Sequence, residues 1–115
     1  MRAMVKGLSS DDFDLEVGSP DDMTCFALNL RLRIGREESK GADDFSLLVC
    51  TPTWLEQSVA EPMWGRHLLI VPKYDLTSIR NKVDDFVSSV SGESWSELAL
   101  KLSRVFAWEY EDYQA

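Results

Sequence analysis

The sequence predicts an α+β fold, an antiparallel sheet of three to four strands packed against two C-terminal helices. Three observations lead there. Apolar and polar residues alternate with period two from Thr24 to Gly35. Apolar residues recur at sustained helical spacing only after Leu76. Strand patterns come first and the long helical patterns last, without the βαβ rhythm of a parallel sheet. The 115 residues, 44% hydrophobic and 10% aromatic, suffice for one core, and no Pro/Gly/Ser linker or internal repeat divides them, so residues 1–115 read as one domain.

Along the chain, Arg2 to Leu8 is expected as an edge strand, and Ser9 to Asp22 as an acidic, turn-rich connection broken at Gly18-Ser19-Pro20. From Thr24 to Gly35, Phe26, Leu28, Leu30, Leu32 and Ile34 share one face, and Ala27, Asn29, Arg31 and Arg33 the other, giving a strand with a dry side and a partly basic wet side. The polar stretch Arg36 to Asp44 cannot bury itself and leads to a second strand, Phe45 to Thr51, as in a hairpin. Thr51 and Pro52 open a short helix as N-cap and first residue, broken by Pro62 and Gly65. Arg66 to Pro72 carries Leu68, Leu69, Ile70 and Val71, apolar on both sides, and is expected inside the sheet with both faces covered.

The helical stripe that follows is Leu76, Ile79, Val83, Phe86, Val87 and Val90, with Asp75 as N-cap and Gly92 as a left-handed stop. Ser94-Trp95-Ser96-Glu97 matches a capping box, Ser94 accepting from the Glu97 amide while Glu97 returns to the cap amide. Trp95, Leu98, Leu102, Val105 and Phe106 continue the helical stripe. Beyond it, Phe106, Trp108 and Tyr110 alternate with Ala107, Glu109 and Glu111, which suits either a helix end or an extended tail.

Charge narrows function. Asp and Glu number 20 against 12 Lys and Arg, a net charge of −8. That balance excludes a protein built to grip nucleic acid or an anionic membrane, since both need a basic face. The first residues hold no apolar stretch long enough for a signal peptide, and Leu68 to Val71 is far short of a membrane span, so a cytoplasmic protein is expected. Cys25 and Cys50 are too few for a disulfide framework and read as buried thiols. One histidine, His67, has no neighbouring nucleophile in sequence, and it forms no short metal-ligand spacing with the cysteines. No phosphate-binding glycine loop or zinc-protease motif occurs, and neither a cofactor nor a metal is expected.

Carboxylates are the abundant chemistry. Residues 75–115 hold eight acids and four bases, half of the net charge, with Trp108, Tyr110 and Tyr113 threaded among them. Acid interleaved with aromatic rings suits a surface for a basic protein partner, the acids steering encounter and the rings supplying contact area. The same rings equally suit a cap on the core. Paired carboxylates or His67 could also serve a small hydrolase, which would require them to converge on a pocket. A housekeeping interaction module is a further alternative.

One set of residues resembles a known family. It comprises Leu30 to Gly35, Gly41-Ala42-Asp43 with Phe45, Cys50-Thr51-Pro52-Thr53-Trp54-Leu55 and Gly65-Arg66-His67 with Leu69-Ile70-Val71. Gly92, Ser94-Trp95-Ser96-Glu97, Leu102-Ser103-Arg104 and Trp108-Glu109-Tyr110-Glu111-Asp112-Tyr113 complete it. Together they resemble the immunity protein 8 family of bacterial polymorphic toxin and contact-dependent growth inhibition systems, in which Phe is commoner at the position of Tyr110. The resemblance implies a cytoplasmic α+β protein that is not an enzyme and binds one cognate toxin domain, commonly a nuclease such as one that attacks tRNA. A nuclease carries a basic substrate groove, which an acidic inhibitor could occupy or flank in a one-to-one complex. The expected contacts are Asp43, Asp44, Asp84, Asp85, Glu109, Glu111 and Asp112. The closing hexad could instead serve the shared fold, with specificity in loops such as Arg36 to Asp44.

Overall fold

The computed structural model describes residues 1–111. In chain order it has β1 (Ala3–Ser9), β2 (Ala27–Arg36), β3 (Asp43–Cys50), α1 (Pro52–Ser58), β4 (Leu68–Ile70), α2 (Leu76–Ser89), α3 (Trp95–Leu102) and β5 (Ala107–Trp108). The strands form one sheet in the order β1-β2-β3-β4, with β5 also pairing with β3. The α+β class and the two C-terminal helices are as expected from the sequence.

Strand β2 explains the layering. Leu28, Leu30, Leu32 and Ile34 are buried, while Asn29, Arg31 and Arg33 between them are exposed. The dry side meets Ile79, Val83 and Val87 of α2 and Leu98, Ala99 and Leu102 of α3 in a single core. The other side of the sheet faces water, which suits an antiparallel hairpin such as β2–β3. Edge strand β1 keeps its phase with β2 through an irregularity at Lys6: Val5 lies opposite Ile34 and Leu8 opposite Leu32 on either side of it. The Lys6 ammonium then reaches the carbonyls of Ser39 and Gly41, holding the β2–β3 connection against the sheet edge.

Two expectations needed correction. Residues 68–70 do not lie inside a sheet covered on both faces. Strand β4 runs parallel to β3 at the sheet's edge, and Ile70 is 54% exposed. The chain crosses over through α1 before returning beside β3, so it arrives in the same direction as β3, and the sheet is mixed. A short aliphatic run records a preference for burial but not how much cover the neighbours provide. Gly92, in turn, is not a left-handed stop, because no glycine has positive φ. Helix α2 ends at Ser89 with Val90 extended, and Gly92 serves close approach: a Cβ there would stand 3.2 Å from the Glu97 side chain.

Local caps fix the helices. Buried Thr51 accepts from the Trp54 amide at 3.4 Å as N-cap of α1, and from the Phe26 amide at 3.2 Å. It thereby fastens the helix start to the segment entering β2. Asp75 caps α2 by accepting from the Ser78 amide. At α3 the Ser94 hydroxyl accepts from the Glu97 amide at 3.2 Å, as expected. The Glu97 carboxylate reaches one residue further back than a standard capping box, to the Glu93 amide at 3.1 Å, and also meets Lys101. The Glu93 amide, and secondarily Lys101, hold the Glu97 carboxyl below its ordinary value.

Two outcomes follow from this architecture. Gly35 lies so close to the β2–β3 connection that a Cβ would overlap the Gly41 carbonyl, a backbone atom that cannot rotate away. Gly35→Ala is expected to lower the unfolding free energy by about 3 kcal/mol in urea denaturation. Because the Glu97 carboxyl is lowered in the folded state, its contribution is present above its unfolded value and disappears as pH falls through the folded one. Thermal melts from about pH 6 down to about pH 3 should therefore show a smaller acid-induced decline for Glu97→Gln than for wild type.

Candidate partner-binding surface

The start of β3 positions two adjacent carboxylates on opposite sides of the sheet, because successive strand residues alternate. Asp43 is paired with Ile34 and turns toward the helical layer; Asp44 is paired with Arg33 and turns toward water. Half-buried Asp43 accepts through one oxygen, Oδ2, from two indoles: Trp95 Nε1 at 2.8 Å and Trp108 Nε1 at 3.0 Å. Trp95 opens α3 and Trp108 lies in β5, so this one oxygen ties both C-terminal elements to the sheet.

Around that tie runs a row of rings. Phe86 meets Phe106 edge-on at 5.5 Å, Phe106 meets Phe45 at 6.4 Å, and Trp108 stacks on Phe45 at 6.3 Å with planes 16° apart. Tyr110 continues the row outward, edge-on to Trp108 at 5.8 Å, and is 45% exposed. Trp108 therefore caps the core, and only the outer ring of the row reaches solvent to a large extent. The segment after Phe106 is the extended one of the two conformations that the sequence allowed.

Three of the expected contact residues come together here. The Asp44 amide donates to Glu109 Oε1 at 2.9 Å, the Glu109 amide donates to the Asp44 carbonyl at 3.1 Å, and Arg33 pairs with the Asp44 carboxylate at 3.2 Å. Glu111 accepts from Arg66 at 3.0 Å and lies 3.9 Å from His67 Nε2. Asp44, Glu109 and Glu111 thus line one end of the sheet, with Asp43 beneath them. Asp84 and Asp85 stand apart on exposed positions of α2 in the helical layer. Asp84 borders a depression with Lys6 and Arg80, and Asp85 a groove with Lys82, but neither forms an ion pair among the described residues, whereas Asp44 and Glu111 are paired with Arg33 and Arg66. Asp112 and Tyr113 lie outside the described residues. The basic side of β2 is likewise compensated, Arg31 by Asp11 at 2.9 Å and Arg33 by Asp44.

The groove beside β4, about 350 Å³, is lined mainly by Leu47, Leu69, Val83, Phe86 and Val105, with Lys82 and Asp85 as its charged members. His67 is not part of it, and no carboxylate pair converges there. Among the described residues no three potential metal ligands cluster, and no helix is long and apolar enough to cross a membrane. Both cysteines are free; Cys50 is buried, which pushes its thiol up, whereas Cys25 is only half-buried, with its Sγ 3.5 Å from Gln57 Oε1.

Sequence reasoning missed two features. The indole tie to Asp43 joins residues far apart in the chain, although all three stand in the motif blocks quoted above. The loop at residues 59–66 carries only the signal of a helix break, yet it holds Met63 at 62% and Trp64 at 88% exposure.

These features define a small α+β protein with acids and the exposed ring of Tyr110 at one end of its sheet. The chain belongs to the immunity protein 8 family, whose model matches residues 3–113, nearly its whole length. It is accordingly an immunity protein, an inhibitor directed against a toxin and not an enzyme. No match is found among curated proteins or among solved structures.

The two neighbouring carboxylates should separate cleanly in a stability assay. Asp43→Ala removes the acceptor for both indoles and is expected to cost about 3 kcal/mol, whereas Asp43→Asn keeps an oxygen and costs about 1 kcal/mol. Chemical denaturation with tryptophan fluorescence measures both, and Asp44→Ala should stay within about 0.5 kcal/mol of wild type.

Proposed function

We propose that the toxin is a nuclease, of the type that attacks tRNA, and that this chain neutralises it in the cytoplasm as a one-to-one complex by steric and electrostatic blocking. The observation that carries this reading is the carboxylate cluster of Asp44, Glu109 and Glu111, two of them paired with Arg33 and Arg66, beside the exposed ring of Tyr110. A nuclease needs a basic groove for its phosphate backbone, and an acidic surface is complementary to that groove. The net charge of −8 adds long-range attraction, which speeds capture of a lethal enzyme. The chain exposes 7544 Å², and a standard interface occupies about 800 Å² on each partner. No cofactor enters this mechanism.

Asp44, Glu109 and Glu111 form the centre of the proposed contact, and Asp112 follows them in sequence. Asp43 supports it from beneath, since one of its oxygens already holds the two indoles. Asp84 and Asp85, on α2, contribute to the field more than to the central contact.

The test uses the C-terminal domain of the toxin encoded directly upstream, because an immunity gene follows its toxin gene. Co-expression should rescue growth, and the two proteins should co-purify. In stopped-flow mixing at low salt, Asp44→Lys with Glu109→Lys should slow association about tenfold and flatten its salt dependence. Association that is equally fast and equally salt-sensitive in the double variant would sink the electrostatic reading. A toxin domain without nuclease activity would sink the nuclease assignment.

A further inference from the structure

The four tryptophans of this chain are treated very differently by the fold. Trp95 and Trp108 are half-buried and donate to Asp43, and Trp54 is half-buried in α1. Trp64 is 88% exposed, and among the described residues its indole has no hydrogen bond or ring contact. Met63 beside it is 62% exposed. Large apolar side chains set out in water at the tip of one loop are the form an interface anchor takes, and tryptophan dominates such anchors.

The loop is fastened at both ends. At its start the Val59 amide donates to the Leu55 carbonyl at 2.9 Å. At its end the Arg66 guanidinium is paired with Glu111 at 3.0 Å, and the His67 carbonyl accepts from the Leu48 amide at 3.0 Å. His67 itself is held at φ 57, the left-handed region that a non-glycine residue enters only under constraint from its surroundings. Pro62, before the exposed pair, restricts the backbone further. Trp64 is therefore displayed on a restrained loop, which reduces the entropy lost when it is gripped.

We propose that Trp64, with Met63, is the apolar anchor of the toxin interface and enters a pocket on the toxin that is rimmed by lysine or arginine. This rests on the toxin-binding reading above and adds the residue that holds the complex together. Continuity places the anchor beside the acidic patch: Arg66, two residues from Trp64, binds Glu111, which follows Glu109 and Tyr110. Glu61 lies in the loop itself, and the charge of Arg66, its one cation, is already matched by Glu111. With Arg66 and Glu111 cancelling, Glu61 leaves the loop a negative charge, which with the net charge of −8 favours a basic partner and opposes a second copy of the chain.

The experiment compares wild type, Trp64→Ala and Trp64→Phe against the toxin domain encoded directly upstream, by surface plasmon resonance at physiological salt. Trp64→Ala should weaken binding about 100-fold, mostly through faster dissociation, and Trp64→Phe less than about tenfold. Melting temperatures of the free variants should equal that of wild type, since the ring is 88% exposed and has no hydrogen-bond or ring partner among the described residues. As a measurement on the unaltered chain, acrylamide quenching should show one highly accessible tryptophan in free wild type that becomes protected in the complex. Wild-type binding with Trp64→Ala within about threefold of it would overturn the anchor and leave the toxin-binding reading standing. Absence of wild-type binding would remove both. A wild-type dimer dissolved by Trp64→Ala, with toxin affinity unchanged, would assign the ring to a second copy and overturn the proposal.

Discussion

The Asp43 carboxylate is where the N-terminal sheet and the C-terminal third of the chain become one object. One of its two oxygens takes N–H groups from Trp95 at the start of α3 and Trp108 in β5. A charged acceptor satisfies both indole donors, which would be costly to leave unpaired in their half-buried positions. With Trp108 fixed there, β5 can pair with Phe45 and Ser46, and the row of rings from Phe86 to Trp108 closes the end of the core. Glu109 and Glu111 are then delivered to Asp44 and Arg66. The acidic surface is thus a consequence of an internal hydrogen-bond pair.

This division of labour bears on how an immunity protein can keep its fold and vary its target. The aromatic and acidic segment after Phe106 mixes residues that face inward with residues that face out. Trp108 serves the fold, while Tyr110 and Glu109 stand at the surface. The loop carrying Trp64 leaves that ring 88% exposed. Substitutions at residues of the second kind should disturb the core less than those at residues of the first. The charge likewise divides: Asp11 pairs with Arg31, Asp44 with Arg33 and Glu111 with Arg66, while Asp84 and Asp85 form no ion pair among the described residues.

Much of the fold was legible because it rests on local rules. The alternation through Leu28, Leu30, Leu32 and Ile34, the cap at Thr51, the cap at Asp75 and the Ser94 half of the capping box all appear in the structure where the chain pattern placed them. Each depends on residues within one turn or one strand, so sequence spacing carries the information. The parallel placement of β4 and the open-edge position of Ile70 depend on where α1 returns the chain, which no local pattern states. Gly92 shows the same limit: a glycine near a helix end suits a left-handed stop, but here its φ is not positive and a Cβ would stand 3.2 Å from the Glu97 side chain.

For the site, composition by itself determined the sign of the surface, because an excess of eight negative charges on 115 residues has to appear outside the core. The motif blocks determined the family. Which acids lie together was decided only by tertiary structure: Asp43 and Asp44 are neighbours in sequence, yet strand alternation sends one inward to two indoles and the other outward to Arg33 and Glu109. The same holds for Trp64, one of four tryptophans to the eye of composition. Its exposure follows from what the rest of the chain does not cover, a property of the assembled surface that sequence spacing cannot encode.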